Sequence, residues 1–167
     1  MIHIYTGDGK GKTTAAMGLA IRAAGRGKKV VIVQFLKGRD TGELHSLGLI
    51  PNITVIRNSE AKGFFHTVPP DIRFKITEEN NGNLKAALAL PYDIIVLDEV
   101  FAAYDLKAVD RKAVDDLLHS FSPEKELVLT GRNPPQHFCD VADYISEIHK
   151  VKHPYDRGVQ AREGIEY

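Results

Sequence analysis

The sequence predicts a single α/β domain: a mostly parallel central sheet flanked by helices. Three observations predict it. Short apolar runs alternate with longer helix-like stretches along most of the chain, the pattern of strands joined by right-handed helical crossovers. The second run, Val30-Val31-Ile32-Val33-Gln34-Phe35, is almost continuously apolar, the texture of a parallel strand covered on both faces. The length, 167 residues, suits one domain whose core needs no disulfide or structural metal.

The elements follow in order. Residues 3–6 form a first strand. Residues 12–25 read as a helix with Ala15, Ala16, Leu19, Ala20 and Ala23 on one face, ended by Gly25 and Gly27. Residues 30–35 are the second strand and 41–49 a short helix. Pro51-Asn52 sets off a third strand at 53–56. Residues 59–70 are a loop centred on Gly63, Phe64 and Phe65. A long helix at 70–90, a strand at 93–98, a helix at 106–120 and a strand at 126–130 come next. A short helix at 134–141 and a strand at 144–149 complete the domain, and 152–167 is a polar tail. No repeat, low-complexity segment or domain-separating linker interrupts the series.

Bulk properties exclude several classes of function. The chain is 43% hydrophobic and 26% charged, with 22 basic and 22 acidic residues. A zero formal charge gives no electrostatic footprint for nucleic acid or an anionic membrane. No apolar run approaches the roughly 20 residues of a membrane span, and no signal peptide precedes the first strand. The single cysteine, Cys139, reads as a small apolar residue on a helix. A reducing, cytoplasmic setting is the expectation.

Between the first strand and first helix stands Thr6-Gly7-Asp8-Gly9-Lys10-Gly11-Lys12-Thr13-Thr14. It follows the phosphate-loop pattern G-x-x-x-x-G-K-[ST], with Thr6 in place of the first glycine. Gly7 and Gly9 keep the backbone free to turn N–H groups toward phosphate oxygens, and the helix N-terminus adds partial positive charge. Lys12 adds a full charge, and Thr13 offers a hydroxyl to Mg²⁺. Gly-Lys-Thr alone would be a weak signal; its strand–loop–helix setting makes the signal specific. The fold class is therefore P-loop NTPase-like, with residues 1–151 as the nucleotide-binding domain. Lys10 is either a second phosphate contact or a solvated charge.

The apolar run Tyr92-Asp93-Ile94-Ile95-Val96-Leu97-Asp98-Glu99 ends in two acids. An acid there holds Mg²⁺ in P-loop proteins, directly or through water. Which of Asp98 and Glu99 touches the metal is left open. Gln34 and Lys37 follow the second strand near the expected cleft. Arg132, after Thr130-Gly131, is in reach of a phosphate or is simply at the surface. His149 and His153 are four apart, but Pro154 and the strand pattern argue against a metal pair. Phe64 and Phe65 are a core plug or a ligand contact.

Beyond the loop and the acids, the sequence resembles the P-loop type of ATP:corrinoid adenosyltransferases. The resemblance rests on Val33-Gln34-Phe35-Leu36-Lys37-Gly38, Gly42-Glu43, Gly63-Phe64, Val96-Leu97-Asp98-Glu99, Thr130-Gly131-Arg132 and Ala142-Asp143. It rests also on the ending Val151-Lys152-His153-Pro154-Tyr155-Asp156-Arg157-Gly158-Val159 with Gly164-Ile165-Glu166-Tyr167. It runs almost end to end, and the closing segment is its most telling part. By this resemblance the chain looks like a short member that starts at its first strand, and the extension that some members fold over the corrinoid is expected to be missing.

The resemblance implies transfer of the 5′-deoxyadenosyl group of ATP to Co(I) of a reduced corrinoid, with inorganic triphosphate leaving. Co(I) is so strong a nucleophile that no general base is needed. Positioning, neutralisation of the leaving group and exclusion of water are. It implies that Lys12, Thr13 and Glu99 act on the triphosphate and its Mg²⁺. Gly63, Phe64, Phe65 and His66 would meet the lower corrin face, where an aromatic residue displaces the axial ligand. Phe64 matches such an aromatic. His66 stands where many members have tryptophan, so the hydrophobic role falls to Phe64 with Phe65. The tail at 152–167 would order over the corrinoid. A reductase, flavin-type or other, and a homodimer are implied partners. Two other readings start from the same loop: a small kinase or ATPase acting at the γ-phosphate, and a nucleotide- and corrinoid-binding module without turnover.

Overall fold

The computed structural model describes residues 1–58 and 65–167. The strands are β1 (Ile2–Thr6), β2 (Val30–Gln34), β3 (Ile53–Arg57), β4 (Ile94–Asp98), β5 (Glu126–Thr130) and β6 (Tyr144–Glu147). The helices are α1 (Lys12–Ala24), α2 (Gly42–Leu47), α3 (Pro70–Ala89), α4 (Val100–Asp105), α5 (Arg111–His119) and α6 (Gln136–Val141). The six strands make one sheet in the order β3-β2-β4-β5-β1-β6. Every neighbouring pair is parallel, so the sheet is wholly rather than mostly parallel.

Alternation along each strand divides the core into two layers. Val31, Val33, Ile95, Leu97, Leu127 and Leu129 face one layer, packed with Leu84 of α3, Phe101 of α4, Leu118 of α5 and Phe138 of α6. Val30, Ile32, Ile94, Val96 and Val128 face the other, under Ala16, Met17, Ala20 and Ala24 of α1. The small alanines let α1 lie close on the sheet. Its buried face is turned slightly from the expected one, with Leu19 and Ala23 packed at the flank.

The predicted helix at 106–120 is corrected to α5, which starts only at Arg111, and α4 precedes it at Val100–Asp105, where no helix is expected from the sequence. Glu99 (φ 60) turns the chain out of β4 and starts α4 at once, and Lys107 (φ 54) breaks the run. Asp110 then caps α5, its carboxylate accepting from the N–H groups of Lys112 and Ala113. The second strand stops at Gln34 because Leu36 is in the left-handed region (φ 57). The last strand stops at Glu147. The tail is more than a polar coil: Pro154–Arg157 forms one 3₁₀ turn. No helix among the described residues is long and apolar enough to cross a membrane.

Candidate functional site

In an open parallel sheet, ligands bind beyond the carboxyl ends of the strands. Here β1, β2, β4 and β5 end in Thr6, Gln34, Asp98 and Thr130, all polar and all buried. Buried polar groups need partners, and Asp98 supplies them for three elements. Its Oδ1 accepts from the hydroxyls of Thr13 (2.9 Å) and Thr130 (2.7 Å). Its Oδ2 accepts from the Lys37 ammonium (2.6 Å) and the Gln34 amide (3.3 Å). Lys37 also donates to Thr13 Oγ1 at 3.1 Å. Thr130 Oγ1 in turn accepts from the N–H of Glu99 at 3.0 Å. The phosphate loop is thus tied through Thr13 to β4, with the end of β5 between them.

The two acids therefore differ in kind. Asp98 is wholly buried, and both its oxygens are occupied. Glu99 sits at the cavity wall in a left-handed conformation. That region is sparsely populated by residues other than glycine, and such strain is found where a site requires it.

The loop's glycines serve a second purpose that the motif alone does not reveal. Gly7 has φ 105, and a Cβ there would collide with the Ile148 carbonyl. A Cβ on Gly9 would come within 2.7 Å of the same oxygen, to which the Gly9 N–H donates at 2.8 Å. The loop is clamped against the chain leaving β6, and only glycine fits the clamp. Asp8 joins it by accepting from the Lys150 N–H at 2.9 Å; that bond holds the Asp8 carboxyl below its ordinary range.

Lys12 is buried and donates to the Gly9 carbonyl at 2.9 Å. Burial, and then the charge of Arg132, lowers its pKa. Arg132 itself reaches the Asp8 carbonyl at 3.5 Å. Two cations thus face one region from the ends of different strands, an arrangement that favours a polyanion. Lys10 meets the tail: its ammonium donates to the Ile165 carbonyl (2.9 Å) and to Glu166 (3.2 Å). Arg162 hydrogen-bonds the same Glu166 carboxylate and is the main reason it is held at about 2.

These groups border one open cavity of 1510 Å³. Cavities for a single small ligand are commonly about 300–1,000 Å³. Asp8, Gly9, Lys10, Gly11, Lys12, Thr13, Thr14, Glu99, Arg132 and Phe65 line it. Thr6, Gly7, Asp98 and His66 do not; Thr6 and Asp98 are buried strand ends. Gly63 and Phe64 lie outside the described residues. Sequence reasoning missed the wall made by Thr41 and Ser46 around α2; Tyr155 and Tyr167 of the tail, which is expected over the site, also line the cavity. Gly42-Glu43, one of the segments that carry the family resemblance, was the signal available for the α2 wall. His149 lies 3.6 Å from Glu147 and His153 caps Tyr155; no cluster of metal-binding side chains occurs among the described residues.

A family model described as ATP:corrinoid adenosyltransferase BtuR/CobO/CobP matches residues 1–167. A protein of Escherichia coli (strain K12) named corrinoid adenosyltransferase is 37% identical over 172 residues, covering 100% of this chain and 85% of that one. One of the same name from Pseudomonas aeruginosa is 31% identical, covering 100% and 83%. Among solved structures, a KaiC-like protein from Pyrococcus horikoshii OT3 aligns with a TM-score of 0.55 at 17% identity, covering 98% of this chain and 74% of that one. That likeness concerns the fold.

Proposed function

The chain belongs to the ATP:corrinoid adenosyltransferase family, and from that premise we propose how its cavity carries out adenosyl transfer. Substrates are ATP and a reduced corrinoid. The electron pair of Co(I) attacks C5′ of the ribose. The Co–C5′ bond forms as the C5′–O5′ bond breaks, and the electrons leave on triphosphate. The observation that carries this reading is a cavity larger than one nucleotide needs, with the buried Lys12 and the phosphate loop in its wall.

Lys12, Arg132 and the loop from Thr6 to Thr14 hold the triphosphate and take up the charge that grows on it. Hard oxygen donors suit Mg²⁺, and Thr13 and Glu99 provide them at the cavity wall, with Asp98 behind fixing the Thr13 hydroxyl. When bound, the metal would neutralise part of the triphosphate charge. No residue need move a proton, because neither bond change involves one. Lys10 and the tail at 152–167 close the open side over the corrinoid; their contact through Glu166 supports this role. A reductase supplies Co(I), and the enzyme works as a homodimer, as the resemblance implies.

The reading is tested by product analysis: ³¹P spectra of a reaction with ATP and reduced corrinoid should show triphosphate. ADP or orthophosphate as the phosphorus product would instead favour a kinase or ATPase.

Gly63, Phe64 and Phe65 are assigned to the lower face of the corrin, with Phe64 displacing the axial ligand. His66 then has no displacing role. Phe64→Ala should slow the Co(II)-to-product rate about 100-fold, roughly 2.7 kcal/mol of barrier, while His66→Ala leaves it near wild type. The reverse pattern would overturn the assignment.

A further inference from the structure

Lys37 stands where a divalent cation belongs. The Thr13 hydroxyl gives its hydrogen to Asp98, and a lone pair that a metal would use faces Lys37 Nζ at 3.1 Å. The same ammonium sits 2.6 Å from Asp98 Oδ2. Asp98 and Lys37 neutralise each other within the site, so a metal arriving alone would add uncompensated charge beside a cation. Mg²⁺ would bind roughly 2.0–2.1 Å from its oxygen ligand, so the two cations could share the Thr13 oxygen only against strong mutual repulsion.

Lys37 has a way out. Its side chain keeps 27% of its surface exposed and lines the cavity. If it leaves, Asp98 retains Thr13, Thr130 and Gln34 as donors. The ion pair of Lys37 in the structure is with Asp98, and a bound triphosphate would offer it another anion.

We infer that Lys37 is a placeholder cation, displaced from Thr13 and Asp98 by the metal and transferred to the triphosphate. This rests on the reading of Thr13 as a metal ligand. Metal entry is thereby coupled to nucleotide entry: the metal alone is opposed, and the metal–triphosphate complex supplies both the replacement charge and Lys37's new partner. Lys37 is a positioning residue for the substrate complex and a gate against free divalent ions.

The test titrates the whole chain with Mn²⁺ alone, and separately with preformed Mn²⁺–tripolyphosphate, following bound Mn²⁺ by electron paramagnetic resonance. Wild type should bind Mn²⁺ alone weakly and the complex well. Lys37→Met and Lys37→Gln should bind Mn²⁺ alone about tenfold more tightly and the complex about tenfold more weakly, the scale of one charge-assisted phosphate contact. Lys37→Gln keeps the test open if the methionine variant fails to fold. Unchanged or weaker binding of Mn²⁺ alone by the folded variants would overturn the inference. Failure of wild type to bind the complex at all would overturn the metal-site reading along with it.

Discussion

Lys12→Ala is expected to lower kcat/KM for ATP by about 100- to 1,000-fold, the range for removing a donor aimed at developing charge. In the structure the ammonium rests on the Gly9 carbonyl, poised inside the loop before any phosphate arrives. The variant should keep its fold, because the loop has other anchors. Gly9 holds Ile148, Asp8 holds Lys150, and Thr13 holds Asp98. Steady-state rates beside a thermal melt separate the two effects. Full activity would show that this loop is not the catalytic nucleotide site.

Asp98→Ala should fail in a different way, by damaging the protein as well as the reaction. Four donors converge on a carboxylate with no exposed surface. Removing it leaves the Lys37 charge unpaired and the hydroxyls of Thr13 and Thr130 in search of acceptors. Breaking a buried pair from one side costs about 3–5 kcal/mol, which in a domain of this size lowers Tm by about 10 °C. Asp98→Asn is the sharper probe. Its amide nitrogen would have to face either the ammonium and amide donors at Oδ2 or the hydroxyl donors at Oδ1. It should therefore lose stability despite matching the shape of aspartate. A melt unchanged in both variants would mean that Asp98 does not hold these strand ends together.

Much of this site was legible in the sequence because its chemistry is local. The phosphate loop needs strand, glycines, lysine and helix in one short stretch, so Thr6 to Thr14 announces itself. Asp98 was legible because an apolar strand ending in acids recurs at such sites. What escaped was set by tertiary packing. The roles of Asp98 and Glu99 divide because one points into a network spanning three strands and the other does not. Gly7 and Gly9 were read as phosphate-loop freedom, yet their tightest constraint is the chain at Ile148. Lys10 finds Glu166 across 156 positions, a pairing no spacing rule could suggest. The late start of α5 was hidden in the same way. Asp110 looks like any surface acid until its carboxylate is seen capping two N–H groups.

Phosphoryl transfer is the ordinary use of such a loop. In the proposed reaction the loop holds a leaving group, and the reacting carbon is at the other end of the triphosphate. One measurement tests that most directly: ATP, Mg²⁺ and chemically reduced cobalamin incubated with the protein, the visible spectrum followed, and the product then exposed to light. The account predicts a photolabile alkylcobalamin, formed one for one with inorganic triphosphate. Consumption of ATP to ADP and phosphate with no cobalt–carbon bond would contradict it.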